Sequence, residues 1–185
     1  MIFKKNLREH IELINKIDAL EQSINYASFK MISAIKNGGK LIFCGNGGSA
    51  SDAQHIAAEF IGRFVEDRDP INAISITTDT SALTCISNDY DYSQVFARQV
   101  QGIGSKNDCL IGISTSGNSK NIENAILKAN EIGIYTIGLL GKGGGKISKK
   151  CDTHITVPSD ITARIQEMHI LIGHTLVEIV EKEFF

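Results

Sequence analysis

Beyond Lys40 the chain alternates short apolar runs with segments of helix length, and this alternation leaves few folds open. The runs are Leu41–Cys44, Ala73–Ile76, Cys109–Ile113, Tyr135–Leu139 and His154–Val157. Each is too short for a helix, and together they form the pattern of strands buried on both faces of a parallel sheet. The expected fold is therefore α/β and doubly wound, with a five-stranded parallel sheet. Ahead of the first run, Leu7, Ile11, Ile14, Ile17, Leu20, Ile24, Met31 and Ile35 recur at helical intervals as far as Gly38-Gly39. They predict a long N-terminal helix, open to a break, whose apolar stripe must be buried against the sheet or a partner subunit. Residues 1–37 are accordingly the expected oligomer-forming segment. At the other end, Ile165, Met168, Ile172, Leu176, Ile179 and Val180 share one face of a long closing helix over Thr162–Glu183, with Thr162 as its candidate cap.

With 185 residues, 42% of them hydrophobic, and no Pro-rich linker, one continuous domain over 1–185 is expected. Lys and Arg number 19 against 21 Asp and Glu, a net charge of -2 that makes no electrostatic case for nucleic acid or an anionic membrane. A small-molecule ligand is the better expectation. Cys44, Cys85, Cys109 and Cys151 lack paired metal or redox spacing and read as reduced thiols, two of them inside strands. The N-terminus turns charged at Lys4-Lys5, and no apolar run approaches the roughly 20 residues that span a bilayer. A cytoplasmic location is expected.

In an open α/β sheet the ligand sits beyond the carboxyl ends of the strands, so the loops after the first and third runs matter most. The first, Gly45-Asn46-Gly47-Gly48-Ser49, allows close backbone approach at a helix start. The second, Ser114-Thr115-Ser116-Gly117-Asn118-Ser119, places four hydroxyls before a helix, a set of neutral donors suited to phosphate. Its blander reading is a simple cap by Asn118 or Ser119. The first loop also matches a relaxed dinucleotide pattern, but the acidic residue expected about 20 positions later is not evident. Gly141–Lys146 lacks the Gly-Lys-Ser/Thr ending of a nucleotide loop and reads as a flexible turn.

His55 and Glu59 stand four apart and share a helix face, where they can bind a divalent metal, serve a proton transfer, or form a plain surface pair. The closing helix adds Gln166, Glu167, His169 and His174. Gln166 and His174 are separated by about 12 Å of helix rise, so a site completed by another subunit is the easier geometry for these two.

Cys44-Gly45-Asn46-Gly47-Gly48-Ser49, Asp52-Ala53-x-His55-x-Ala57-x-Glu59, Ser87-Asn88-Asp89, Gly112–Ser119 and Arg164-Ile165-Gln166-Glu167-x-His169 follow one another over nearly the whole chain. In order and spacing they resemble the phosphoheptose isomerases, a family of sugar isomerase (SIS) domains. The resemblance implies the SIS variety of flavodoxin-like fold and a substrate phosphate held by Ser114, Thr115, Ser116 and Ser119. It implies a sugar lined by Asn46, Gly47, Gly48, Ser49, Asn88 and Asp89, with Glu59 and Gln166 also at the substrate. Glu59 and His174 would be the acid-base pair. Zinc, one per subunit, would be held by His55, Glu59, Gln166 and His174, in a homotetramer with its site at a subunit interface. Ala163 departs from relatives with an acidic residue there, which leaves any hydroxyl contact from that position in doubt. The implied reaction converts sedoheptulose 7-phosphate into D-glycero-D-manno-heptose 7-phosphate through an enediol, the first step towards activated heptose for lipopolysaccharide or capsule. The rival readings are a noncatalytic SIS module of the kind that binds a replication initiator, and an isomerase of another sugar phosphate.

Overall fold

A computed structural model describes residues Met1–Phe185. Helix α1 (Ile2–Ile17) is separated from α2 (Glu21–Lys36) by a 3-10 turn at Asp18–Leu20, so the N-terminal stripe is carried by two helices. The strands are β1 (Leu41–Gly45), β2 (Ala73–Ser75), β3 (Cys109–Ser114), β4 (Tyr135–Leu140) and β5 (Thr153–Thr156). Between and after them lie α3 (Gly48–Ile61), α4 (Thr80–Asp89), α5 (Val95–Ile103), α6 (Lys120–Ile132) and α7 (Thr162–Phe184). All five predicted strands are present, with ends shifted by a residue or so. Thr162 is not the cap of α7: Ile161 occupies that position and makes no side-chain bond.

The strands are all parallel in the order β2-β1-β3-β4-β5. Alternate residues of each central strand enter different cores, which is why the runs are apolar throughout. Leu41, Phe43, Ile111, Ile113, Ile137 and Leu139 face α2, α3 and α7 in the larger core. Ile42, Cys44, Leu110 and Leu140 meet Val95, Phe96 and Val100 of α5 and Ile122 and Ile126 of α6 on the other side. Cys44 and Cys109 are fully buried apolar fillers, and burial pushes the Cys44 thiol up to about 12.

Two buried ionisable groups tie α7 to its surroundings. Glu181, 1% exposed, accepts from the backbone N–H of Phe64 (3.0 Å), Val65 (2.8 Å) and Glu66 (3.2 Å) and from Arg68 Nε (2.9 Å). Arg68 in turn donates to the carbonyls of Phe60 and Glu59, so one carboxylate organises the whole turn that follows α3. Burial alone would raise the Glu181 pKa, but the three backbone donors and the Arg68 charge outweigh it and hold the carboxyl below its ordinary value. The second group is His169, fully buried, whose Nε2 donates to the Leu140 carbonyl at 3.0 Å while Nδ1 has no partner. Burial lowers its pKa from 6.5 to about 4, with the Leu140 bond opposing, so the native ring is neutral.

Replacing Glu181 by Ala strands Arg68 and three backbone donors and should cost about 3–5 kcal/mol in urea-unfolding free energy. For His169 the unfolded chain binds the proton more tightly than the native one. Its stabilising contribution is therefore complete above pH 6.5 and declines as pH falls from 6.5 towards 4. A unfolding midpoint that sinks across that window, and does so less in His169→Asn, is the expected result.

Candidate functional site

The strand order reverses between β1 and β3, and both loops singled out in the sequence leave the carboxyl ends of these two strands. Gly45 lies beside Ile113 in the sheet register, so the loops form the two walls of one crevice. Gly47 takes the left-handed region (φ 57°) at the start of α3, and Ser49 is buried in its first turn. Across the crevice, Ser114 ends β3 nearly buried, with its Oγ 2.9 Å from Ser119 Oγ and 3.5 Å from Ser116 Oγ. Ser119 occupies the N-cap position of α6, yet its hydroxyl makes no capping bond. The start of α6 and the hydroxyls of Ser114, Ser116 and Ser119 thus lie together beyond β3, an arrangement suited to an anion.

The turn Gly141–Lys146 supports this loop and is not a loose connection. Lys146 N donates to Asn118 Oδ1 (3.1 Å), Ile147 N to the Gly117 carbonyl (3.0 Å), and Asn118 Nδ2 back to the Ser116 carbonyl (2.9 Å). Gly117 has φ 64°, and a Cβ there would overlap the Gly144 carbonyl. Only a residue without a side chain lets the two turns touch this closely.

Helix α7 lies alongside α3 in the same direction. Gln166 places its amide against Gly48 at the start of α3, Ile56 packs its δ-methyl where a Cβ of Gly173 would stand, and Glu181 meets the turn after α3. This alignment sets His174 beside His55. His55 Nε2 is 3.1 Å from Glu59 Oε1 and 3.3 Å from His174 Nε2, with the two imidazoles edge to face at 5.0 Å. One ligand atom from each of His55, Glu59 and His174 lies within 4.8 Å of the others. Two facing ring nitrogens and a carboxylate crowd one point, which a single proton serves poorly and a divalent cation serves well. Phe64 stacks on the His174 ring at 5.3 Å and fixes its plane.

These three residues converge within one chain, whereas the two that their separation on α7 is expected to keep apart, Gln166 and His174, do not meet in it. Gln166 lies apart from them, two turns back along α7, at the first loop. Asn88 and Asp89 end α4, where the Asn88 amide donates to Asp89 (2.8 Å) and, with Cys85, keeps that carboxyl below its ordinary pKa. Ala163 stands in the first turn of α7, next to Arg164, which reaches back to the Asn6 carbonyl and Glu167. Several members of the site carried no sequence signal. Phe64 arrives through the Glu181 clamp, and Asn121 and Tyr92 reach Asn46. Asp52, part of the Asp52–Glu59 motif and one turn before His55, has its carboxyl pKa raised by burial against the opposing pull of His55.

A family model described as SIS domain matches residues 5–141. A phosphoheptose isomerase from Campylobacter jejuni is 50% identical over 183 residues, covering 99% of this chain and 98% of its own. One from Nitratiruptor sp. is 53% identical, covering 98% and 97%. The chain belongs to the phosphoheptose isomerase family of SIS domain proteins. Among solved structures, a phosphoheptose isomerase from Neisseria gonorrhoeae superposes with a TM-score of 0.92 at 41% identity, covering 97% of both chains. Another from Francisella tularensis reaches a TM-score of 0.94 at 36% identity, covering 97% of this chain and 96% of its own.

For a member of this family, the contact between the serine loop and the glycine turn is open to a direct check. Gly117→Ala should lower stability by about 1–3 kcal/mol through the left-handed backbone and the overlap with Gly144. It should also weaken competition by inorganic phosphate, both measurable by thermal unfolding with and without phosphate.

Proposed function

We propose that the chain isomerises sedoheptulose 7-phosphate to D-glycero-D-manno-heptose 7-phosphate. Two observations carry this reading: the meeting of Glu59 and His174, linked through His55, on α3 and α7, and the hydroxyl-lined helix start at the sheet's switch point. Full-length identity of about half to phosphoheptose isomerases supports the same conclusion.

In this reading Ser114, Thr115, Ser116 and Ser119 hold the phosphate, and Asn46, Gly47, Gly48, Ser49, Asn88, Asp89 and Gln166 line the sugar. The reaction moves the carbonyl from C2 to C1. Glu59 removes a proton from C1 as O2 takes one up, giving an enediol; the O1 proton then leaves and Glu59 returns a proton to C2. His174 carries the proton between the two oxygens, and the stacked Phe64 keeps its ring in the required plane. The donor set of His55, Glu59 and His174 fits zinc; the family pattern adds Gln166, whose amide here lies at Gly48 and would have to turn along α7 to join them. Zinc bound there would polarise the substrate carbonyl and stabilise negative charge on oxygen.

The apolar stripe of α1 supports association with further copies of the chain, which the family pattern makes a homotetramer. Ile2, Phe3, Leu7, Ile11 and Ile14 are all exposed in the single chain, and only Leu13 of this helix is buried. No helix is long and apolar enough to cross a membrane, and a cytoplasmic location is part of the proposal.

Incubation with sedoheptulose 7-phosphate, with and without zinc, should yield the aldose phosphate by NMR. Glu59→Gln should slow it by roughly 10²–10⁴-fold; near-normal turnover by that variant would refute the assignment. His55→Ala and His174→Ala should each weaken zinc in a chelator competition by more than the roughly 10–100-fold typical of an outer-shell partner.

A further inference from the structure

Asn46, in the first loop, is met by two side chains from elsewhere in the chain. Asn121, nearly buried in the first turn of α6, forms a reciprocal amide pair with it. Asn46 Nδ2 donates to Asn121 Oδ1 at 2.9 Å, and Asn121 Nδ2 donates to Asn46 Oδ1 at 2.8 Å. Tyr92, in the 3-10 turn three residues after Asp89, donates its hydroxyl to the same Asn46 Oδ1 at 3.0 Å. The orientation of both amides follows from one backbone group. Ile122 N–H donates to Asn121 Oδ1 at 3.0 Å, and a backbone N–H can be received only by the oxygen end of an amide. That fixes Asn121, the pairing then fixes Asn46, and Tyr92 takes up the second lone pair of Asn46 Oδ1. What remains unpaired on Asn46 is one N–H of Nδ2.

We propose that Asn121 and Tyr92 are positioning residues that make Asn46 a hydrogen-bond donor, and only a donor, towards an oxygen of the sugar. This rests on the isomerase reading above. The pair also links the walls of the crevice: the loop that meets the sugar is bonded to the helix whose N-terminus faces the phosphate. An Asn46 free to turn its amide over would present an acceptor half of the time and repel a carbonyl or enediolate oxygen; the Ile122–Asn121–Asn46 chain removes that state.

The test compares Asn121→Asp, Asn121→Ala and Tyr92→Phe for kcat/KM with sedoheptulose 7-phosphate, inhibition by inorganic phosphate, and thermal unfolding. Asn121→Asp loses the donor to Asn46 Oδ1 and should lower kcat/KM roughly tenfold to hundredfold, with the phosphate inhibition constant within about twofold of wild type. Tyr92→Phe, at an exposed position that folds regardless, should lose about threefold. Unchanged kcat/KM in folded Asn121→Asp overturns the proposal. So does a parallel loss of phosphate inhibition, which would make Asn121 a support of the phosphate loop alone. Should Asn121→Asp not fold, unchanged kcat/KM in Asn121→Ala and Tyr92→Phe overturns it equally. A second readout needs no turnover: the Nδ2 protons of Asn46 and Asn121 should exchange slowly with water in NMR spectra of the wild type, and faster for Asn46 when Asn121 is replaced. Slow exchange in a protein that turns over no sugar phosphate would uphold the amide pairing and sink the isomerase reading; fast exchange in the wild type sinks the pairing itself.

Discussion

The arrangement of this protein depends on the burial of α7 against α3. Ile165, Met168, Ile172, Leu176, Val177 and Val180 give α7 a face that only the larger core can cover, and Ala53, Ile56, Ala57 and Phe60 are what α3 offers in return. Because the two helices run side by side in the same direction, each turn of one has a fixed partner on the other. The start of α7 falls at the glycine loop, its middle at His55, and its end at the turn after α3. Burying the apolar face is therefore the same event as assembling the polar one. A shift of α7 by one turn, about 5.4 Å, would part His174 from His55 and leave Glu181 without the donors it receives.

The opposite wall of the crevice is built on different physics. Its hydroxyls and helix N–H groups carry no net charge, so the anion they suit is met by dipoles held in place before it arrives. What holds them is close backbone packing between the Gly117 turn and the Gly144 turn, fastened by Asn118. Two regions thus divide the work: α3 and α7 hold titratable groups on rigid helices, and the serine loop holds a neutral cradle on two interlocked turns.

Much of this was legible in the sequence for a simple reason: strands buried on both faces must be apolar at every position, and five such runs could hardly be anything else. The pairing of His55 with Glu59 followed from helical periodicity. The ends of elements were less legible, since Thr162 was an ordinary capping candidate and only the backbone path shows Ile161 in that place. Spacing along a single helix set Gln166 and His174 apart, but it could not say that α3 runs parallel and receives the two residues at different heights, at Gly48 and at His55. The glycine turn at 141–146 looked loose for the same reason: glycines signal freedom in sequence and contact in a fold, and the partner decides which. Asn121 and Tyr92 had no pattern at all, being joined to Asn46 by tertiary contacts over 75 and 46 residues.

The origin of His55, Glu59 and His174 in one chain bears on how the protein matures. A cation site whose donors lay on different subunits could fill only after assembly, and dilution would empty it. Here the three donors come together as soon as a single chain has packed α7 on α3. A folded single chain thus already carries a cluster able to take a cation, and an ion bound there, by bridging the two helices, would in turn hold closed the packing that the apolar faces began.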